Sequence, residues 1–600
     1  MSAKKFSIGI DLGTTNSVIS YRELEQENAQ LGLLDIPQLV DGATVERRKS
    51  LASFLYIAAE HELGNATFSL PWSDAESPHV VGEIARRRSA ETPMRTIAAA
   101  KSWLCYHGID RHGAVLPWNA PNDIPKISPV EVSRLYIEHL VSAWNHEFPN
   151  DPLRDQSVVL TVPASFDASA RDLTRQAAIL AGLPEDVVLL EEPQSALYSW
   201  LAHTGDVWRK QMKVGDTILV CDVGGGTSDF SLITVVDRDG DLALERVAVG
   251  NHLLVGGDNM DLALAHLAKS YFAEKDIELD PWQAVSLWHA CRAAKETLLS
   301  ENPPESFPVT ILGRGSKLIG GTVSVDLPCS DVASILMAGF FPPCPLDAKP
   351  QKRFSSGFKE IGLPFEADAR ITHHLAQFLS SQKTAAGEPI LPTHVLFNGG
   401  VFRAEPFRLR MLEVLNQWFQ DQHEIKPLEG KHELDFAVAY GAAYYGAVKQ
   451  GEGIRIRGGT ARSYYVGIES AGLAVPGMER PLRALCVVPF GMEEGTETDV
   501  PGQEIGLVVG ESAQFRFFGS SVRKEDKPGE IMPSATAPDI QETDPINTTL
   551  PAAEETSQGY VPVTFHAKIT ELGMLELWCK SALSEKQWKL EFNVREETGA

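Results

Sequence analysis

Six hundred residues, at roughly 150 per domain, give a soft expectation of about four compact units. The 54 Lys+Arg set against 80 Asp+Glu leave a net charge of −26, a field that repels polyphosphate backbones and anionic lipid and so argues against nucleic-acid and membrane partners. The 7 cysteines are widely spaced and lack a CxxC pair, which excludes a disulfide framework or thiolate zinc site and leads us to expect a reducing, cytoplasmic setting.

Lys4 and Lys5 open the chain, but Asp11 interrupts the apolar run behind them before a signal-peptide core can form. Phe6, Ile8 and Ile10 alternate into Asp11-Leu12-Gly13-Thr14-Thr15-Asn16, a strand meeting a tight glycine turn flanked by an acid and hydroxyls. Ser128-Pro129-Val130-Glu131 reads as a capping box, after which Val132, Leu135, Tyr136, Leu140, Ala143 and Trp144 recur at helical spacing. A second helix is predicted from about Asp167 to Ala181, stopped by Gly182.

The strand-to-glycine arrangement then returns. Ile218 to Cys221 runs into Asp222-Val223-Gly224-Gly225-Gly226-Thr227-Ser228-Asp229, followed by a strand from Phe230 to Val236. Two such hairpins facing each other supply bare backbone N–H groups and hydroxyls for phosphate oxygens, and carboxylates for Mg²⁺. Val395 to Asn398 is a third apolar strand, ending in Gly399 and Gly400 and leading to a helix with Phe407, Met411, Val414, Leu415 and Trp418 on one face. Glycine there lets backbone approach a flat ligand closely. His373 and His374 point about 100° apart on a helix, which suits a surface pair better than a chelating one.

Up to about residue 450 strands alternate with amphipathic helices, the pattern of an α/β protein. Pro-rich Phe341 to Ser356 reads as an insertion. Beyond Gly451 the chain turns to short β segments such as Tyr464 to Ile468 and Val561 to Phe565. The expected domains are 1–450 and a mainly β 451–600, with a disordered loop at 524–559, where large apolar residues almost vanish. Alternation of Ile454 and Ile456 with Arg455 and Arg457 predicts a short strand added to a sheet edge.

Asp11 to Asn16, Asp222 to Asp229, Asn398 to Arg403 and Asp435 to Ala443 resemble the phosphate-1, phosphate-2, adenosine and second connecting motifs of the actin/hexokinase/heat-shock ATPase superfamily. Thr161 to Phe166, Arg171 to Gly182, Glu191 to Ala196 and Val255 to Asp261 resemble the 70-kDa heat-shock (DnaK-type) chaperones in particular, and the likeness covers most of residues 6–448. It implies a two-lobed, actin-like ATPase fold with ribonuclease-H-like lobes, binding ATP/ADP with Mg²⁺. Tyr465 to Glu469, and Val563 to Cys579 with Gly573 in the turn, are similar to that family's peptide-binding β-sandwich; its helical lid is not expected after Cys579.

Carried over residue by residue, the resemblance makes Asp11, Asp222 and Asp229 holders of Mg²⁺ and its waters, and Glu192 the support of the attacking water. Thr14, Thr15 and Thr227 would line the phosphates; Gly13, Asn16, Gly224, Gly225, Gly257, Lys295, Gly399, Gly400, Arg403 and Asp435 would complete the nucleotide set. Two departures stand out. Arg86, in Val81 to Arg86, takes the place of the family's catalytic lysine, so hydrolysis is expected to be slow. Around Cys291 to Glu296 only Lys295 matches the adenine clamp, while Arg292, Ala293 and Glu296 replace its usual residues.

The implied function is an ATP-dependent chaperone acting on unfolded peptides or a client protein, with a J-domain co-chaperone and a nucleotide exchange factor as implied partners. The alternative is a nucleotide-binding regulator or scaffold with little hydrolysis. A small-molecule kinase of the same superfamily is disfavoured by the stretches at 161–166 and 191–196.

Overall fold

The computed structural model describes residues 4–593, apart from 25–28, 65–66, 74–76, 107, 119, 165, 167, 239–240, 251–252, 314–320, 352–362, 364, 383–389, 421, 429, 431–432, 452–455, 458–459, 461, 470–481, 494, 521–522, 524, 536–538, 544–545, 553–559 and 571–573. The chain forms two compact units, Met1–Ile456 and Arg457–Ala600.

The first unit uses one strand arrangement twice. In its first sheet Phe6–Leu12 lies antiparallel to Asn16–Glu23 and parallel to Ser157–Val162, which is itself parallel to Val188–Glu191. In the second, Thr217–Val223 lies antiparallel to Ser228–Arg238 and parallel to His394–Asn398, which is parallel to Lys426–Pro427. Asp241–Val249 continues that sheet, and a short strand starting at Ile456 closes its edge. The expected edge strand is therefore present at Ile456; Ile454 lies outside the described residues.

Both central strands are buried along nearly their whole length, as sheets covered on two faces require. Each ends in an acid, Asp11 in one lobe and Asp222 in the other, at the carboxyl end of a strand, where open α/β sheets bind ligands.

Helices cover these sheets. Pro129–Glu147 begins where Ser128 Oγ accepts a hydrogen bond from Glu131 N, and it buries Val132, Tyr136, Leu140 and Trp144. The helix expected to stop at Gly182 spans Ala168–Leu180, and Gly182 adopts φ 98°, a left-handed conformation; Asp167 and Ser165 lie outside the described residues. Ala437–Val448 packs on Glu192–Thr204 and on the first sheet through small residues. Ser195 Oγ donates to Val438 O, and Ser7 Oγ to Ala443 O.

The expectation of a surface histidine pair fails at His374. The helix Ile371–Ser381 turns Ile371, Leu375 and Phe378 inward, and His374, three residues after Ile371, falls on the same face, where its Nε2 donates to Asp368 O.

The second unit packs two antiparallel sheets face to face. One has the order Ile531–Met532, Leu482–Val488, Ser463–Glu469, Phe517–Ser520 and Gln541–Glu542; the other has Thr496–Val508, Tyr560–Ile569, Met574–Ser581 and Gln587–Asn593. Val466, Leu485 and Val487 of the first meet Val563, Ala567 and Leu577 of the second in one core. The turn residue Gly573 lies outside the described residues.

The stretch 524–559 is not a disordered loop where it is described. Ile531–Met532 and Gln541–Glu542 pair at opposite edges of the first sheet, and Ile546–Thr549 pairs with Ser512–Phe515. Its few apolar side chains misled the sequence reading because polar contacts hold it in place. Arg523 binds Asp526 and Asp539, and Tyr465 Oη donates to Asp526 at 2.6 Å. Among the described residues no helix is long and apolar enough to cross a membrane.

Candidate functional site

The carboxyl ends of the two repeated sheets open on one cleft of about 1030 Å³ within the first unit. Of the residues assigned to catalysis, metal and nucleotide from the sequence, all line this cleft except Arg86 and Asp229.

The turns explain why glycine is required there. A Cβ at Gly13 would stand 2.2 Å from Asn16 O, so the strand can double back into Asn16–Glu23 only without a side chain. Gly225 and Gly226 lie directly against the other lobe's turn: a Cβ on the first would meet Thr15 Oγ1 at 2.2 Å and one on the second would meet Thr14 Cγ2 and Ser102 Oγ at 3.0 Å. Gly399 holds φ 85° with Val223 O 2.3 Å from where its Cβ would be, which brings Gly400 and the turn Gly400–Arg403 to the cleft. Gly257 N and Asp258 N donate to Gly224 O and Gly225 O, so the helix Gly257–Glu274 starts on the same glycine loop.

Acids cluster at the base. Thr161 Oγ1 lies 3.3 Å from Asp11 Oδ1, and Asn398 Nδ2 donates to Asp222 Oδ2 at 2.8 Å. Asp229 pairs across the hairpin with Asp222 and is buried behind the cleft wall rather than lining it. Burial, reinforced by the charge of Glu192, pushes the Asp11 carboxyl up to about 7 and holds Asp222 well above the ordinary carboxylate range.

Arg86 does not reach this cluster. It sits on the helix Glu83–Glu91 with its Nε 3.0 Å from Glu83 Oε2, and Glu83 also binds Arg48 and Arg87. The cation beside these acids is Lys101, which the sequence reading missed. Its Nζ donates to Glu192 Oε1, and both side chains are almost buried. Burial works against the ammonium, yet Glu192 and Asp11 keep it charged and raise its pKa. A signal was present: Lys101 is the one charged residue between Thr96 and Tyr106, and a charge inside so apolar a run must be buried and paired.

Beside the Gly224–Gly225 turn, Lys295 and Arg292 of the altered adenine clamp form an ion network. Lys295 Nζ donates to Gly257 O at 2.7 Å and pairs with Asp261 at 2.6 Å; Arg292 joins Asp258 to Asp261 and lies over the Phe54 ring. Arg403 and Asp435 meet at 3.4 Å on the exposed rim.

The donor set fits a hydrated divalent cation. Asp11, Glu192 and Asp222 face the ammonium of Lys101, with Asp229 beside Asp222, leaving excess negative charge, and Asn398 Oδ1 is buried with no hydrogen-bond partner among the described residues. Among those residues no three acidic, histidine or cysteine side chains converge enough to bind a bare ion, so the acids suit a cation held through its waters, as Mg²⁺ commonly is.

Comparison with known proteins points the same way. Residues 72–319 match the family model described as Hsp70 protein. The chain is 29% identical over 337 residues to the chaperone protein dnaK3 of Thermosynechococcus vestitus, covering 53% of this chain and 43% of that protein. It is 27% identical over 317 residues to the chaperone protein DnaK of Stenotrophomonas maltophilia, covering 50% of this chain and 43% of that one. The matches thus span less than half the length of these relatives. With two glycine-walled, acid-floored lobes around one cleft and a family-model match over residues 72–319 of the same unit, the chain is similar to the Hsp70 protein family.

Proposed function

We propose that the first unit binds ATP and ADP with Mg²⁺ in this cleft and hydrolyses ATP, in the manner of a chaperone-type ATPase. The observation that carries the reading is the convergence of acids, an ammonium and bare backbone from both lobes on one cleft. Phosphoryl transfer needs positioning and charge stabilisation more than covalent chemistry, and these groups supply both.

In this reading the N–H groups of Gly13, Gly224 and Gly225 and the hydroxyls of Thr14, Thr15 and Thr227 receive the phosphates. Asp11, Asp222 and Asp229 hold Mg²⁺ through its waters, and the metal neutralises charge on the phosphate oxygens. Glu192 orients the attacking water. Lys295, Gly399, Gly400, Arg403 and Asp435 hold the nucleoside. The β-sandwich would take unfolded peptide or a client protein, with a J-domain co-chaperone and an exchange factor as candidate partners.

Calorimetry with Mg-ATP tests the site. Asp222→Ala and Gly400→Trp are each expected to weaken binding at least about tenfold, since 1.4 kcal/mol of lost contact already gives that factor; unchanged affinity in both would reject the assignment. One observation favours the second reading, a nucleotide-dependent regulator with little hydrolysis. The Glu192 carboxylate is already engaged by Lys101, which competes with water for that oxygen. Measured turnover of bound ATP separates the two.

A further inference from the structure

We propose that this cleft takes purine nucleoside triphosphates without reading the base: fixed, buried groups recognise metal and phosphates, whereas the exocyclic groups that separate adenine from guanine meet only apolar surface and solvated side chains. This deepens the nucleotide-binding reading and rests on it.

A site discriminates sharply where it keeps a buried donor or acceptor waiting for one ligand, because the wrong ligand leaves that group unpaired and desolvated. An apolar slot, or a polar group that water can satisfy, imposes no such penalty. Among the described residues that line the cleft, the side-chain polar atom left buried and unpaired is Asn398 Oδ1, on the amide whose nitrogen is bound to Asp222. It stands with the acids assigned to the metal, not with the groups assigned to the nucleoside.

The wall assigned to the nucleoside is built differently. The last turn of the helix Pro281–Leu298 and the turn Gly400–Arg403 converge on Gly257, where an added Cβ would stand 3.1 Å from Lys295 Nζ and 3.5 Å from Val401 Cγ2. The cations of this wall are already bound within the protein. Lys295 gives two of its three donors to Gly257 O and Asp261, and Arg292 bridges Asp258 and Asp261 with its face on Phe54. Arg408 donates to the carbonyls of Phe402 and Arg403, and Ser300 Oγ donates to Thr297 O. The one ammonium donor left on Lys295 can satisfy N7 or a ribose hydroxyl, groups that adenine and guanine nucleotides share.

The remaining groups are of two kinds. Val401, Ala404 and Phe407 are buried and Leu299 partly so, and together they give the wall its apolar surface. Glu296, Glu301 and Asn302 are exposed, and Arg403 and Asp435 pair on the rim with 64% and 45% of their side chains in solvent. A hydrated carboxylate that accepts from guanine N1 and N2 trades one hydrogen bond for another, so guanine gains little over adenine. The base is held by its faces against apolar side chains, and the triphosphate with its Mg²⁺ carries the recognition.

The test is calorimetry on the full chain with Mg²⁺, comparing ATP, GTP, ITP and inorganic tripolyphosphate. The three nucleotides are expected to bind within about tenfold of one another, and each at least about tenfold more tightly than tripolyphosphate, because ring and sugar bury against the apolar wall. Glu296→Gln is expected to leave the ratio of ATP to GTP affinity unchanged. A preference above about tenfold for any one purine would overturn the inference and leave nucleotide binding intact. If that preference is for GTP and disappears in Glu296→Gln, the Glu296 carboxylate reads the base after all. Tripolyphosphate binding as tightly as the nucleotides would also overturn it, since the nucleoside would then lie outside the slot. A chain that binds none of the four would overturn the nucleotide-binding reading as well.

Discussion

His139 sits inside the helix Pro129–Glu147 with its Nε2 2.8 Å from Pro37 O and the edge of Trp72 at 5.0 Å. Since a carbonyl can only accept, Nε2 carries the proton. Burial lowers the pKa of this ring to about 4, against about 6.5 for an exposed histidine. Between those values the unfolded chain binds a proton that the folded chain does not, so stability contributed by neutral His139 is complete above about pH 6.5 and declines as the pH falls toward 4. The full loss amounts to about 3 kcal/mol. Urea unfolding at pH 7.5 and 4.5 should show a smaller difference for His139→Gln than for the wild type, and an equal difference would contradict the assignment. At this scale the sequence was legible where chemistry and spacing coincide. Asp11 and Asp222 each end an apolar strand before a glycine turn, and both stand on the floor of the cleft. It was illegible where an alignment column and a location in space part company. Position 86 carries the expected basic residue type but points to Glu83, while Lys101, eleven residues after Ala90, fills the space.

The helix Ala437–Val448 is apolar on every side, with no preferred face, and the reason is that it is covered by both the first sheet and the helix Glu192–Thr204. Glycine sets how closely these elements approach. A Cβ at Gly441 would stand 1.7 Å from Ser195 O, and one at Gly9 would stand 2.3 Å from Ala439 O. Backbone atoms cannot step aside as a flexible side chain can. Gly441→Ala is therefore expected to cost at least the about 1–3 kcal/mol typical of an overpacked core, read as a lower urea midpoint at unchanged slope. A change under about 0.5 kcal/mol, the scale of a neutral surface substitution, would mean that the helices do not meet there. Element identity was readable in the sequence for helices with one apolar face, such as Pro129–Glu147. It was hardest at 524–559, where short strands are held by backbone pairing and by Arg523 and Arg516 rather than by a hydrophobic pattern.

The two compact units have separate hydrophobic cores: Val466, Leu485, Val563 and Leu577 belong to the sandwich, while Leu219, Phe230, Leu264 and Val395 belong to the second lobe of the first unit. Leu577→Ala should therefore lower only one of two thermal transitions, by the about 2–5 kcal/mol of a truncated core leucine, and leave Mg-ATP affinity unchanged. A single transition that moves as a whole would show that the units unfold together. Nothing in the composition announced the duplicated sheet arrangement of the first unit, because the two copies share strand order and terminal acids but little sequence.

The hydrogen bond from Ser7 to Ala443 joins residues 436 apart, so one face of the strand Phe6–Leu12 is covered by the last helix of its own unit. Chains grow at about 5–20 residues per second, which places about 20–90 s between synthesis of that strand and arrival of its cover. For that interval the opening of this chain is itself unfinished, apolar polypeptide. Its production in good yield should depend on whatever holding factors the host cell supplies, most acutely at high expression and high temperature.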